Sequence, residues 1–387
     1  MGFVADWARH SYVTADALRS RALGLESDIM SVAITERDLP AIERAGTRDL
    51  AAVRAWIYGL VVLVVGMVLV GGATRLTGSG LSITEWRPVT GAVPPLSEAA
   101  WLAEFERYRQ IDQYQLLNKG MSLADFKFIY WWEWGHRQLG RFLGLAFFVP
   151  FLWFWAKGVV RGRLALTLLG AGALGGLQAA IGWIMVASGL KPGMTAVAPI
   201  KLMLHLTVAS VILAGLVWIA AGLKERRRDA AARGLTRGAT ILLGAVLFQI
   251  ALGGLVAGSR AGFTFNTWPL MDGRLVPDMA MLFAVSPWIE NFVDNVALVQ
   301  FNHRIVAYAL VAFALWHAVA AWRAAPRSGT ARRGTALAGL MLAQAALGVA
   351  TLVLVVPLWA GLAHQGLAMV VLAMAAAHAR ITRAEAA

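Results

Sequence analysis

The feature that most constrains this chain is a series of eight apolar windows, each about as long as a bilayer-crossing helix. They run over 55–74, 129–156, 164–187, 201–222, 238–258, 298–321, 335–356 and 361–379. A helix needs about 20 residues to span the hydrocarbon layer. Backbone polar groups there must be satisfied within the segment, so the windows read as transmembrane helices. Only 15% of the residues are charged and 59% are hydrophobic, whereas soluble domains carry roughly 25% charge. The expected fold is an all-α membrane protein. The chain has no cysteine, which excludes disulfides, thiolate metal sites, Fe–S clusters and cysteine nucleophiles.

The formal charge of +13 is distributed by side. Lys157, Arg161 and Arg163 follow the second window, and Lys224 to Arg237 supplies six basic residues after the fourth. Arg323, Arg327, Arg332 and Arg333 follow the sixth, and Arg380 and Arg383 the eighth. The intervening segments 75–127 and 259–297 are balanced or acidic. Basic loops stay in the cytoplasm, so both termini are expected inside, in a multi-pass protein of the bacterial inner membrane. The charge thus reports orientation, and no nucleic-acid partner is expected.

The second half resembles the first. Gly80 to Trp86 matches Gly262 to Trp268 as G-x-[S/T]-x-x-x-W, and Gly71-Gly72 matches Gly253-Gly254, both at an offset of 182. His136-Arg137 matches His303-Arg304, Gln178 to Gly182 matches Gln344 to Gly348, and His205 matches His364. Four spans per repeat put both halves the same way up, related by an axis along the membrane normal. The expected architecture is two pseudo-symmetric four-helix bundles. Its parts are a cytoplasmic tail over 1–53, an N-terminal bundle over 54–222 with a long outer loop at 75–127, and a linker over 223–237. A C-terminal bundle over 238–380 and a short tail over 381–387 complete it.

Four of the seven histidines, His136, His205, His303 and His364, open the even-numbered spans at the outer end. Each half therefore offers two imidazoles on two parallel helices, as a six-coordinate heme requires. Packing histidines, or one four-His zinc or copper site, are the alternatives; the repeat favours two separate pairs. Arg137 and Arg304, next to a histidine in each half, suit heme propionates or the outer interface. His317 and His378 lie 14 residues beyond His303 and His364. That is about four turns on the same face, where a second heme or an interfacial packing role are both open.

The halves differ at one charged position. Glu133 shares a face with His136, and its counterpart is Gln300. Intramembrane carboxylates are seldom kept for packing, so one pocket is expected to do chemistry and the other to hold electrons. An interfacial Glu133–Arg137 pair is the alternative. The loop over 75–127 is aromatic, with Trp86, Trp101, Phe105, Tyr108 and Tyr114. Its segment 96–117 is expected to form an amphipathic helix, as a cover or an interfacial belt.

These residues resemble the heme A synthase family, cytochrome oxidase assembly enzymes of bacteria and mitochondria. The matching stretches are Gly71 to Ser82, Glu133-Trp134-Gly135-His136-Arg137, His205, Phe265 to Pro269, Asn302-His303-Arg304 and His364-Gln365. The resemblance covers about 54–380 and fits the cysteine-free proteobacterial and mitochondrial class. It implies oxidation of the C8 methyl of heme O to a formyl group by successive hydroxylation. It implies heme b on His303 and His364, substrate heme O on His136 and His205, and a catalytic Glu133. Implied partners are the farnesyl transferase that makes heme O and a ferredoxin or quinol donor, with a homo-oligomer possible. A multihaem b-type electron carrier is the competing reading, supported by the 14-residue histidine pairs. A transporter ranks below it, since the ionisable residues crowd the span ends rather than the midplane.

Overall fold

The computed structural model describes residues 47–224, 226–229 and 232–386. Of the tail expected over 1–53, residues 1–46, with His10, lie outside the described residues, and 47–53 are already helical. Eight long helices are apolar enough to cross a membrane, which makes this a multi-pass membrane protein. They are α1 (Thr47–Leu76), α2 (Leu123–Ala156), α3 (Gly162–Gly189) and α4 (Pro199–Gly222), then α5 (Ala232–Gly258), α6 (Val296–Ala324), α7 (Gly329–Val353) and α8 (Leu358–Ala386).

Most helices outrun their apolar windows because local chemistry, not hydropathy, sets their ends. Ser122 and Asp125 form a reciprocal capping box that starts α2 six residues before the window at 129, satisfying two orphan backbone donors. Asn295 caps α6 through the Ala297 and Leu298 amides, Ser328 caps α7 through Ala331, and Pro199 opens α4. The 96–117 segment is two helices, Glu98–Arg109 and Asp112–Leu117, separated where Ile111 turns extended.

The packing order repeats. In the first half α1 packs on α2, α3 on α4 and α4 on α1; in the second α5 packs on α6, α6 on α7, α7 on α8 and α8 on α5. The halves meet where α4 lies on α5 and α8, and α8 lies on α1. Small residues set these approaches, as expected where lipid offers no hydrophobic drive between helices. A Cβ on Gly258 would stand 2.6 Å from the Pro199 Cα, and one on Gly254 would stand 2.9 Å from that of Met203. Further along the same helices Leu213, Val217, Leu242, Val246, Met369 and Leu372 belong to one buried core.

Candidate functional site

Each of the four sequence-selected histidines sits in the same kind of cradle. The His136 ring lies on Gly71 of α1, His205 on Gly182 of α3, His303 on Gly253 of α5, and His364 on Gly348 of α7. A Cβ at those glycines would stand 2.9, 2.9, 3.3 and 2.8 Å from the imidazole Cε1. Only a residue without a side chain admits the ring, so the glycines set the depth of each imidazole in its bundle.

Four residues before the glycine, one helical turn away on the same face, stands a glutamine in three of the four cradles. The Gln178 amide donates to the His205 carbonyl at 2.9 Å, Gln249 to that of His303 at 2.9 Å, and Gln344 to that of His364 at 3.0 Å. In the second half the same nitrogens also stand 3.1 Å from His303 Nδ1 and 3.2 Å from His364 Nδ1. The fourth position is Met67, whose methyl group lies against Gly140 of α2. The first-half pair therefore has fewer partners, and the Nδ1 atoms of His136 and His205 are buried with none.

Glu133 is buried at 3% exposure, and three donors converge on it. Its Oε2 accepts from the Ser82 hydroxyl and the Ile83 amide, both at 2.8 Å, and its Oε1 from Arg137 at 2.6 Å. Gln300 inverts the polarity. Its amide donates at 2.7 Å to the carbonyls of Ala261 and Thr264, while its oxygen accepts from Arg304 at 2.8 Å. One position thus carries a carboxyl group that receives three donors in the first half and an amide that donates twice in the second.

The two arginines have matching work. Arg137 donates to the carbonyls of Ile83 and Glu85, and Arg304 to those of Phe265, Thr267 and Leu270. Each clamps the Gly-rich loop of its own half over the histidine end. Arg304 keeps one buried donor, Nε, without a partner. The arginine hydrogen bonds to main-chain carbonyls were not legible in the sequence, because backbone acceptors carry no residue signature. The Q-x-x-x-G pattern was, in principle, and the internal repeat was the signal that could have found it.

The loop between α1 and α2 packs on the first turns of α2. Trp101, Phe105, Tyr108 and Tyr114 are buried against Phe126, Ile129 and Tyr130 of α2. Burial pushes the Tyr108 phenol above its ordinary value, which keeps it a neutral donor to Gln113 at 3.0 Å. Gln113 in turn donates to the Gly78 carbonyl at 3.2 Å. This part of the loop is thereby tied to the same 78–83 turn that holds Glu133.

His317 and His378 are fully buried and touch each other, Nε2 to Nε2 at 2.9 Å. Direct contact leaves no space for a macrocycle between them. Gly238 adds to the closure, since a Cβ there would stand 2.7 Å from His317 Nδ1. Among the described residues, His317 and His378 thus form a contact pair of their own, apart from the four cradled histidines.

The sequence matches the family model described as COX15-CtaA, cytochrome oxidase assembly protein, over residues 54–376. It is 66% identical to the heme A synthase of Methylobacterium sp. (strain 4-46) over 342 residues, which is 88% of this chain and 95% of that protein. It is 63% identical to a heme A synthase of Methylorubrum extorquens, covering 86% of this chain and 87% of the relative. With the heme A synthase of Brucella ovis the identity is 51%, over 87% of this chain and 93% of the relative.

Proposed function

The chain belongs to the cytochrome oxidase assembly family COX15-CtaA, and from that premise we propose that it is a heme A synthase whose two halves hold different hemes. Heme O is the substrate, placed in the first half between His136 and His205. A b-type heme would be the resident cofactor, held in the second half by His303 and His364, with the buried Nε–H of Arg304 available to a carboxylate of the group. That cofactor supplies one-electron redox chemistry. The single observation that carries the assignment is the asymmetry between otherwise matched cradles: Glu133 against Gln300, and Met67 against Gln249.

The residues present fit these groups. Two imidazoles per half approach from separate helices, and buried nitrogens on His136, His205 and Arg304 lack partners in the protein. The second half, with amides on both histidines, suits a permanently held heme. The first half, less tightly furnished, suits one that arrives and leaves. Two successive hydroxylations put two oxygens on the methyl carbon, and loss of water from the resulting gem-diol leaves the formyl group. Glu133 places a carboxyl group at this pocket that the second half lacks, where it stabilises positive charge developing at the methyl and takes up a proton released there. It also holds Ser82 and Ile83 in place, which keeps water and substrate positioned under the loop. With dioxygen as the oxygen source, each hydroxylation consumes two electrons and two protons and releases water, and the electrons enter by way of the second half from a donor of the ferredoxin or quinol class. The histidine ends face away from the cytoplasm, and both termini lie on the cytoplasmic side of an inner membrane.

The test is expression in cells that make heme O but lack a synthase of their own, followed by mass analysis of extracted heme. Wild type yields heme A. Glu133→Gln keeps the b-type heme and lowers heme A formation by about 100-fold or more. Absence of heme A from the wild-type cells would overturn the reading.

A further inference from the structure

The four helices around His136 and His205 form a ring of four seams, and one of these differs from the rest. The α1–α2, α3–α4 and α4–α1 seams are packed along their lengths, whereas α2 and α3 touch only sparingly. The corresponding α6–α7 seam of the second half is closed, with Gly334 set against Ala318 and Ala321. The far sides of α1 and α4 are covered by α8 and α5. Among the described residues, the α2–α3 seam is thus the least packed of the four, crossed where Phe147 and Phe148 of α2 meet Gly172 of α3. Below it, at the end of α2 remote from His136, lies an apolar cavity of about 450 Å³. Phe148, Leu152 and Trp155 of α2 line one wall, and Ala165, Leu166 and Leu169 of α3 the other.

A second observation concerns the same helix. The ligand-bearing helices α4, α6 and α8 are each fastened by a glutamine bonded to the histidine carbonyl. Helix α2 has Met67 at that place and no such bond from it. The wall of the open seam is also the wall without the clamp.

Resting on the reading that heme O is the substrate, we propose that the α2–α3 seam admits the prenylated tetrapyrrole from the lipid and that the apolar cavity holds its isoprenoid tail. Phe148 is 12 residues beyond His136, about 18 Å along the helix. A ring held at the histidines with its carboxylates toward the arginines sends its opposite, prenylated edge down this seam. An isoprenoid chain has no polar group to satisfy, and the lining is aliphatic and aromatic. The tightly closed α6–α7 seam matches a cofactor without such a tail.

Binding separates the tail from the ring. Ferric heme O and ferric protoheme, which lacks the tail, are titrated into purified protein that already carries its second-half heme. Ala165→Trp fills the cavity. It is expected to weaken heme O binding roughly tenfold or more, the loss of a few buried methylenes, while protoheme binding and second-half heme content stay unchanged. Equal loss for both hemes, or no loss for heme O, overturns the tail subsite. Failure of the wild type to bind heme O would overturn the substrate reading itself, which is a different result from indifference to Ala165→Trp. The lack of native cysteine gives a second test through Leu152→Cys with Leu169→Cys. Oxidation is expected to slow heme O entry and release at least tenfold, with a thiol restoring both; exchange at the wild-type rate in the oxidised protein would overturn the doorway.

Discussion

At the scale of single residues, the site is defined by what is left out as much as by what is present. Glycine at 71, 182, 253 and 348 leaves the space each imidazole occupies. Adding one methyl is expected to displace one ring and no other. Gly348→Ala should remove the second-half heme signature from the absorption spectrum, and Gly71→Ala should lower heme O binding while leaving that signature intact. Overpacking of this kind costs about 1–3 kcal/mol. The histidines and the Glu133–Gln300 difference were readable in the sequence because intramembrane polar residues stand out against an apolar background. The Gln249 bond to His303 was not, because the partner lies 54 residues away and the Q-x-x-x-G spacing shared with Gln178 and Gln344 does not say where the amide points. The positions of the arginines suggest propionate partners; most of their hydrogen bonds go to loop carbonyls.

At the scale of elements, the eight spans were legible because the bilayer demands a run of fixed length, while their ends were not. The α2 start rests on the Ser122–Asp125 box, a local signal outside the hydrophobic window. The break between the two loop helices rests on the extended Ile111, which amphipathic periodicity does not announce. The Gly-rich loops depend on their clamps. Arg304→Ala leaves three carbonyls of the 265–270 turn without their donor, at about 1–3 kcal/mol for each that stays buried. Faster amide hydrogen exchange over residues 264–271, with α6 and α7 unchanged, is the expected outcome. Unchanged exchange in that loop would remove the clamp from the account.

At the scale of the whole molecule, the two histidine-bearing halves meet at the α1–α8 contact. Gln365, next to His364, donates to the Val68 carbonyl at 2.8 Å and rests on Gly72, next to the Gly71 cradle of His136. A Cβ on Gly72 would collide with the Gln365 side-chain oxygen. Gly72→Ala is therefore expected to loosen the contact between halves, lowering the thermal midpoint and slowing heme A formation while both hemes still bind. Duplication was visible in the sequence, but the use of this contact to join the halves was not, since its partners lie 297 residues apart. The central claim is that the halves hold different hemes, and mass analysis of heme extracted from ligand variants tests it most directly. In cells supplied with heme O, the double variant His303→Ala/His364→Ala should lose protoheme and keep heme O, and His136→Ala/His205→Ala should keep protoheme and lose heme O and heme A. Loss of the same heme from both variants would contradict the account.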